Sequence, residues 1–307
     1  MSASNQWTVE SMGDQGGRTV VVTGANSGIG FQTARELAAH GANVVLACRD
    51  EAKGRDAAER ITAAVPGADV DMVRLDLSSL ASVRDAAERI RSGYPRLDLL
   101  INNAGLMMPP FGRTQDGFEL QIGTNHLGHF ALTGLLIDRL LAAPGSRIVT
   151  VSSFAHRQGR IDLDDLNFDR RRYRPGTGYG QSKLANIMFT YELQRRLTEA
   201  RAKTIALTLQ PGAVPTELQR HANRATRVIG DFLMRTLGQP DATAGALSTL
   251  RAATDPAAKG GEYFAPGGFL TWKGNPVVAR SSSRSHDTLI QRRLWAESER
   301  LTGVTYL

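Results

Sequence analysis

TGANSGIG, the stretch from Thr23 to Gly30, follows a short β-branched run at residues 19–22 that is typical of one buried strand. Residues 31–39 have the pattern of a helix, and a second apolar run follows at residues 43–47. The three segments form a βαβ unit with a glycine-rich first turn. Glycines let such a turn approach a pyrophosphate, whose charge is stabilised by the N–H groups and dipole of the helix N-terminus. The G-x-x-x-G-x-G spacing in this context therefore predicts a dinucleotide site.

The rest of the chain alternates apolar runs with helical patterns. Further strands are predicted at residues 70–75, 97–101, 146–152, 203–210 and 261–264. Strands that alternate with helices indicate a parallel sheet covered by helices on both faces. We therefore predict an α/β fold, a Rossmann-type doubly wound sheet of about seven strands, in a single domain. Ligands of such sheets bind beyond the carboxyl ends of the strands, where NNAG at residues 102–105 falls.

Three segments depart from this alternation. Residues 1–17 are predicted to form a flexible N-terminal arm, in which Trp7 can pack onto the domain of residues 18–307. Residues 154–177 are polar, contain three consecutive arginines and exceed a normal connection in length, which predicts an insertion beside the site. Residues 211–239 are a mixed segment with an apolar stretch at residues 228–234.

The composition indicates an ordinary soluble globular protein, since 41% of the 307 residues are hydrophobic and 22% are charged. No apolar run approaches the roughly 18 residues of a membrane span, and the N-terminal residues lack the apolar core of a signal peptide. The net charge of +7 comes from arginines spread along the chain, so we expect no nucleic-acid partner. Cys48, the single cysteine, cannot form an internal disulfide, which fits a cytoplasmic protein.

The six histidines are scattered singly and lack metal-ligand spacing, so no metal site is predicted. His126, His129 and His156 lie near the motifs described here, but no role for them follows from the sequence. Such residues are more often satisfied core or surface groups.

Tyr179 and Lys183 are four residues apart in a segment with a helical pattern at residues 179–200, so they lie on one face about one turn apart. A free tyrosine, with a pKa of about 10, is a poor base at neutral pH. A neighbouring ammonium favours the phenolate and lowers that pKa. The pair therefore predicts that Tyr179 acts as the acid/base in an alcohol–carbonyl interconversion.

Ser153 ends the fifth predicted strand, at the ligand edge of the sheet. Its hydroxyl can hydrogen-bond a substrate oxygen and stabilise the charge that develops there. The alternative is a strand-end serine that only caps local backbone.

Several motifs follow one another along most of the chain. They are TGANSGIG, Asn102-Asn103-Ala104-Gly105, Asn125, Ser152-Ser153, Tyr179-Gly180-Gln181-Ser182-Lys183 and Pro211-Gly212. The set resembles the motifs of the short-chain dehydrogenases/reductases, in the family's order. The Ser-Ser-x-Ala-His stretch, the insertion and the Leu-Trp-x-x-Ser-x-x-Leu-Thr-Gly tail are most similar to the retinol-dehydrogenase-like branch. The resemblance implies an oxidoreductase that passes a hydride between a nicotinamide cofactor and an alcohol or carbonyl carbon.

The resemblance also implies roles for single residues. Tyr179, Lys183, Ser153 and Asn125 match the family's catalytic set, in which the lysine holds the nicotinamide ribose and the asparagine kinks its helix and holds a water in the proton relay. The implied cofactor-binding residues are Gly24, Asn26, Ser27, Gly28, Ile29, Gly30, Asp76, Leu77, Asn103, Ala104, Gly105, Tyr179, Lys183, Pro211, Gly212, Val214 and Thr216. Residues 211–239 are implied to form the substrate lobe.

The end of the second predicted strand bears on the choice of cofactor. NAD-binding sheets of this architecture usually place a carboxylate there, which accepts hydrogen bonds from the ribose 2′-hydroxyl. Here Arg49 follows Cys48, and a guanidinium can pair with the 2′-phosphate of NADP, with neutral contacts from Asn26 and Ser27. We therefore expect NADP. NAD remains the alternative, because Asp50 can serve the ribose if the strand ends one residue later, or else it opens the next helix.

Leu106, Met107 and Met108 follow NNAG at the strand edge, and the apolar residues 228–234 are expected to cover them, which predicts a lipophilic small-molecule substrate. Two other functions stay open. A sugar-nucleotide epimerase or dehydratase can share the fold, but it usually carries G-x-x-G-x-x-G. A dinucleotide-sensing protein without turnover tends to lose the tyrosine or the lysine, and both are present here. A homo-oligomer is also compatible with the sequence.

Overall fold

The computed structural model describes residues 6–213 and 240–307, and in this part of the chain eight strands form one sheet. The strands are β1 (Thr19–Thr23), β2 (Asn43–Cys48), β3 (Val70–Arg74), β4 (Leu99–Asn102), β5 (Arg147–Val151), β6 (Ile205–Leu209), β7 (Tyr263–Pro266) and β8 (Pro276–Ala279). Their order is β3-β2-β1-β4-β5-β6-β7-β8, and all neighbours are parallel except β7 and β8. The strand order reverses between β1 and β4, where doubly wound sheets bind ligands. The predicted Rossmann-type α/β fold is confirmed.

Helices cover both faces of the sheet. They are α1 (Gly28–Ala39), α2 (Glu51–Ala64), α3 (Leu80–Gly93), α4 (Leu120–Ile122), α5 (Gly128–Leu141), α6 (Pro175–Glu199), α7 (Ala242–Thr254) and α8 (Thr288–Thr302), and a π-helical turn, Gly123–Leu127, joins α4 to α5. In β1, Val20 and Val22 pack into the core under α1, α2 and α7, whereas Val21 packs into the core under α3, α5 and α6. All three valines are fully buried, and each such burial contributes roughly 1.5–3 kcal/mol. A strand buried on both faces explains the uninterrupted β-branched run.

The last strand, β8, was not among the predicted strands. It pairs antiparallel with β7 at the edge of the sheet, and its Val277 and Val278 are 39% and 51% exposed. It has only four residues and begins with Pro276, which suits an edge strand. A run this short, with exposed valines, lacks the periodicity that predicts a strand.

The segment assigned to a flexible arm includes a 3₁₀-helical turn, Val9–Met12, among the residues that the structure describes. Trp7 and Met12 are buried and join the core under α1 and α7. From Trp7 onward the segment therefore packs on the domain. Packing of Trp7 on the domain is what the sequence allowed for.

The insertion is ordered by one carboxylate. Asp165 accepts the backbone N–H groups of Asp169, Arg170 and Arg171, and it also accepts the Nε–H of Arg171 at 3.0 Å. Helix α6 then starts at Pro175, earlier than predicted, because proline at the first helical position gives up an N–H that has no partner in the helix. The insertion thus leads directly into the helix that carries Tyr179.

Some predicted features lie outside the described residues. They are Val214, Thr216 and most of the proposed substrate lobe at residues 211–239, including its apolar stretch. Within residues 6–213 and 240–307, no helix has both the length and the apolar character needed to cross a membrane.

Candidate active site

The glycines of the turn between β1 and α1 differ in how much space surrounds the position where a Cβ atom would lie. A Cβ atom on Gly24, whose φ is +66°, would lie 2.9 Å from the Cβ of Ala104. A Cβ atom on Gly30 would collide with the carbonyl of Gly24 and the side-chain amide of Asn103. These two glycines therefore let the turn pack directly on NNAG. Gly28 differs, because its φ is +57° and nothing lies within 4 Å of its Cβ position, so its backbone is open to a ligand.

The first turn of α1 is suited to an anion. Ser27 is the N-cap residue, but its side chain makes no capping hydrogen bond, and the first turn contains no acidic residue. The N–H groups there lack a capping side chain, and with the helix dipole they favour a phosphate. This helix start and the glycine cradle beside it fit the pyrophosphate of a nicotinamide dinucleotide.

Thr23 binds NNAG to the glycine-rich turn. Its hydroxyl accepts the backbone N–H groups of Asn103 and Ala104, each at 2.9 Å. Its carbonyl accepts the side-chain amide of Asn103 at 2.8 Å. Asn103, predicted to contact the cofactor, thus uses its amide nitrogen to hold the turn. Asn102 points into the interior, where its amide donates to the hydroxyl of Thr133 at 3.1 Å.

Asn125 lies fully buried in the π-helical turn. Its Oδ1 accepts the N–H of Leu106 at 2.7 Å, and its Nδ2 donates to the carbonyl of Leu106 at 3.0 Å and to Ser182 Oγ at 2.9 Å. In the π turn the N–H of Gly128 bonds to the carbonyl of Gly123, five residues back. Such turns are frequent at functional sites, and this one interrupts the helix at the residue for which the resemblance implies a kink.

The Ser153 side chain, at the end of β5, lies near enough to Tyr179 on α6 to influence the ionisation of its phenol. Both the tyrosine and Lys183 are buried, and the Nζ of Lys183 lies 5.8 Å from the centre of the Tyr179 ring. The Nζ donates to the carbonyl of Val151 at 3.1 Å. Ser152 donates to the carbonyl of Lys183 at 2.7 Å and so supports α6 on β5.

Gly105 lies between the two halves of this cluster. A Cβ atom on Gly105 would lie 3.2 Å from Asn125 Oδ1 and 3.3 Å from Lys183 Nζ. The end of NNAG therefore brings the π turn and α6 together. The four residues predicted to be catalytic thus come from three elements and meet beside the glycine-rich turn.

The electrostatics differ in one respect from the sequence-based expectation. Burial raises the pKa of Tyr179, and the hydrogen bond with Ser153 opposes that rise. The net shift of the Tyr179 pKa is therefore upward, opposite to the lowering expected from Lys183, whose Nζ donates to the Val151 carbonyl. Burial also lowers the pKa of Lys183 to about 8. Lys183 uses one of its three N–H donors, which leaves two for a ligand.

The predicted adenosine contacts lie at the ends of β2 and β3. Asp50 accepts the backbone N–H of Lys53 at 3.1 Å and so caps α2. This is the second of the two roles considered for Asp50, in which it opens the helix after β2. Arg49 is exposed and forms no ion pair with any described residue. The carboxylate of Asp76 accepts the N–H and hydroxyl of Ser78 at 2.9 and 2.6 Å, and Leu77 is buried against the start of α5.

Pro211 and Gly212 follow β6 at the same edge of the sheet, and Gly212 has a φ of +86°. The next residue, Ala213, donates its N–H to the carbonyl of Trp272 at 3.0 Å. These two residues are therefore held at the ligand edge by the segment after β7.

Sequence reasoning missed Asn186 and left the histidines without a role. Asn186 Nδ2 donates at 3.1 Å to the Val151 carbonyl that also accepts Lys183 Nζ. Its position seven residues after Tyr179 places it on the same helix face, a signal that was available. In the described ranges, no group of three or more His, Cys, Asp or Glu side chains is placed to hold a metal ion.

The sequence model of the family described as short chain dehydrogenase matches residues 18–227, well over half of the chain. The chain belongs to the short-chain dehydrogenase family. It is therefore an NAD(P)-dependent oxidoreductase that interconverts an alcohol and a carbonyl compound by hydride transfer. The family predicted from the motifs is confirmed.

Relatives of this short-chain dehydrogenase agree with the predicted branch. Human retinol dehydrogenase 13 is 44% identical over 94% of the chain and 85% of its own length. Mouse polyprenol dehydrogenase is 42% identical over 94% of the chain and 85% of its own length. An uncharacterized protein from Mycobacterium paratuberculosis has a similar solved structure, with a TM-score of 0.82, 45% identity and coverage of 98% of this chain and 99% of that chain. The complex of Pseudomonas aeruginosa RhlG with NADP has a TM-score of 0.63 at 26% identity, over 81% and 94% of the two chains.

Proposed function

We propose that this short-chain dehydrogenase uses NADP to interconvert lipophilic alcohols with their aldehydes or ketones, and that Tyr179 is its acid/base. The observation that carries the proposal is the cluster of the buried Tyr179, Lys183 and Asn125 with the half-buried Ser153 beside the glycine-rich turn. A cluster of this kind is unnecessary for a protein that only senses a dinucleotide. A sugar-nucleotide epimerase is disfavoured by the spacing of the glycines.

Tyr179 exchanges the proton of the reaction with the substrate oxygen. It donates the proton when a carbonyl is reduced and accepts it when an alcohol is oxidised. Ser153, which lies next to Tyr179, donates to the same oxygen and stabilises its developing charge. When bound, the cofactor would supply the hydride as NADPH in carbonyl reduction and would accept it as NADP⁺ in alcohol oxidation. Lys183 is largely protonated at neutral pH, and its two remaining donors are suited to the hydroxyls of the nicotinamide ribose.

Two arginines support the choice of NADP over NAD. Arg49 follows β2, and Arg74 is the register partner of Cys48 on the adjacent strand β3. Both are exposed, and neither forms an ion pair with any described residue. Asp50 caps α2, so part of the acceptor capacity of this carboxylate is used within the protein and not for an NAD ribose. Two guanidinium groups at this end of the sheet favour a 2′-phosphate.

The substrate is proposed to be lipophilic because of the residues after NNAG and the names of the relatives. Leu106 and Met107 are half-buried and Met108 is exposed, so apolar groups line the approach to Gly105. The Cε of Met108 lies 3.9 Å from the Cβ position of Gly176, one turn before Tyr179. The relatives named retinol dehydrogenase and polyprenol dehydrogenase act, by those names, on retinol and on polyprenol, and both of these alcohols are lipophilic.

The experiment is a screen of alcohols and aldehydes, from short polar to long and cyclic lipophilic compounds, with NADP and NAD. Absorbance of the reduced nicotinamide reports turnover. We expect the highest kcat/KM for lipophilic substrates with NADP. Faster turnover of small polyols would refute the lipophilic pocket. Tight NADP binding without turnover of any substrate would favour the sensing function.

A cytoplasmic location and the oligomeric state remain predictions from the sequence. Cys48 is buried, and burial raises the pKa of its thiol to about 11, so it is an unreactive core thiol. An unreactive single cysteine is compatible with a reducing compartment. Sedimentation of the purified protein would establish the oligomeric state.

A further inference from the structure

Two buried histidines bond to the backbone carbonyls of two residues of the proposed catalytic set. The Nδ1 of His129 lies 3.0 Å from the carbonyl oxygen of Asn125. The Nδ1 of His156 lies 2.7 Å from the carbonyl oxygen of Ser153, which also accepts the backbone N–H of His156 at 3.0 Å. The two contacts use the same ring nitrogen on the same kind of acceptor.

The partners of these rings determine the tautomer of each. A carbonyl oxygen only accepts, so Nδ1 must carry the proton in both rings. The Nε2 of His156 lies 3.0 Å from the backbone N–H of Ser282, which only donates, so this nitrogen must be unprotonated. The Nε2 of His129 lies 2.9 Å from the hydroxyl of Thr23. Burial, the largest cause, lowers the pKa of both rings to about 4, so both are neutral at physiological pH.

The second nitrogen of His129 reaches the cofactor side of the site. The hydroxyl of Thr23 accepts the N–H groups of Asn103 and Ala104, so its own hydrogen is free to be donated to Nε2. Ile101 offers a more distant alternative acceptor, at 3.3 Å. His129 thus links the π turn that holds Asn125 to the junction of β1 with NNAG.

The second nitrogen of His156 reaches the C-terminal part of the chain. Ser282 precedes a short 3₁₀-helical turn, Ser283–His286, before α8. His156 itself lies in the 3₁₀-helical turn Phe154–Arg157, for which Ser153 is the N-cap residue. The ring therefore fixes the peptide group that follows Ser153, whose side-chain oxygen accepts the backbone N–H of Ala155 at 3.3 Å and lies next to Tyr179.

We propose that His129 and His156 are positioning residues of the reaction, which hold Asn125 and Ser153 through Nδ1–H hydrogen bonds to their carbonyls. The inference rests on the proposed function of this site. Neither ring touches the substrate or transfers a proton. Each fixes one member of the catalytic set from behind, and displacement of a reacting group by about 1 Å can cost about a hundredfold in rate.

The test replaces one ring nitrogen at a time. Asparagine places an amide N–H near the position of Nδ1, and glutamine places an amide group near the position of Nε2. His129→Asn and His156→Asn therefore keep the bond to the catalytic residue, whereas His129→Gln and His156→Gln lose it. His126→Gln is the control, because His126 is equally buried but its Nε2 bonds to Ser298 outside the site.

We expect both glutamine variants to lower kcat by about tenfold to a hundredfold, with the KM for substrate little changed. The asparagine variants and His126→Gln should keep kcat within about threefold, on the scale of one lost hydrogen bond at most. His129→Asn should weaken NADP binding by about two- to tenfold, because it loses the bond to Thr23. Equal kcat in the Asn and Gln variants of each position would overturn the proposal, whatever their thermal stability.

A second measurement separates this inference from the proposed function. Nitrogen-15 NMR of the histidine rings, assigned by loss of each signal in its variant, reports the tautomer without any assay of turnover. The Nδ1–H tautomer in both rings at pH 7 is expected. The Nε2–H tautomer in either ring would refute the inference even if the enzyme is active. An inactive wild-type protein with Nδ1–H rings would instead count against the proposed function.

Discussion

The glycine-rich turn and the catalytic cluster lie at the same edge of the sheet but are built in different ways. At the turn, absent side chains let Gly24 and Gly30 pack against NNAG, and the ligand is offered backbone N–H groups. In the cluster, buried polar side chains such as Asn125 and Lys183 have specific hydrogen-bond partners. The turn should therefore be sensitive to added volume, and the cluster to lost polar atoms.

The largest effect is expected from Tyr179→Phe, which removes one oxygen from the cluster. We expect kcat to fall by about a thousandfold or more, because the phenol is the proton donor, while the Kd of NADP stays nearly unchanged. Steady-state kinetics and a fluorescence titration of reduced NADP would measure both. Tyr191→Phe is the matched control, since it removes a half-buried tyrosine hydroxyl on the same helix, and that hydroxyl bonds to Ser281 outside the site. Turnover near the wild-type rate in Tyr179→Phe would disprove the mechanism.

The complementary change adds volume to the turn. In Gly30→Ala the new methyl group collides with the carbonyl of Gly24 and the amide of Asn103, and overpacking of this kind costs about 1–3 kcal/mol. We expect a matching loss of stability in urea denaturation and weaker NADP binding. Gly93→Ala serves as the control, because nothing lies within 4 Å of its Cβ position. An unchanged Kd for NADP in Gly30→Ala would mean that the turn does not bind the dinucleotide.

The buried histidines near the cluster make the stability of the protein depend on pH. Burial lowers the pKa of His126 to about 3 and of His129 and His156 to about 4, below the ordinary value of about 6.5. Between the folded and unfolded pKa values, the unfolded chain binds protons that the folded chain does not. The stabilisation from these neutral histidines is therefore fully present above about pH 6.5 and is lost as the pH falls toward 4. Each ring should cost roughly 2 kcal/mol between pH 7 and pH 5.

Urea denaturation at both pH values would measure this loss. In His156→Gln the loss between pH 7 and pH 5 should be smaller than in the wild type by about the contribution of one ring. If the two proteins lose equal stability, the His156 ring is not held neutral in the folded state.

The sequence predicts the two regions unequally well, and for a physical reason. The glycine-rich turn is local: its strand, glycines and helix are neighbours in the chain, and the buried valines of β1 give a clear pattern. Tyr179 and Lys183 share one helix, so their spacing places them together. The upward shift of the Tyr179 pKa was not predictable from that spacing, because its largest cause is burial by other parts of the fold.

The histidines show the limit of such reasoning. The partner of His129 at Thr23 is 106 residues away, and the partner of His156 at Ser282 is 126 residues away. Single histidines without a spacing rule carry no sign of these contacts in the sequence. Strand β8 was missed for a similar reason, since pairing with β7 and not its own pattern makes it a strand.

The smallest effect, and the last test of the comparison, concerns the cofactor end of the site. If the glycine-rich turn offers mainly backbone groups, the distinction between NADP and NAD must come from side chains beyond it. Arg49 is exposed after β2 without an ion-pair partner among the described residues, and Asp50 beside it is engaged as a helix cap. A charge-assisted contact with the 2′-phosphate should be only partly screened at low salt. We therefore expect NADP to bind the wild type about tenfold more tightly than NAD, and Arg49→Ala to remove most of that preference without changing the Kd of NAD.

Arg60→Ala is the control, because that exposed guanidinium already pairs with Asp56 on the surface of α2. Titration of both cofactors against the three proteins at low and moderate salt would measure the effect. Equal dissociation constants for NADP and NAD in the wild type would exclude a 2′-phosphate site at this position. If Arg49→Ala still prefers NADP over NAD, another cation contacts the 2′-phosphate, and Arg74 on β3 is the next residue to test.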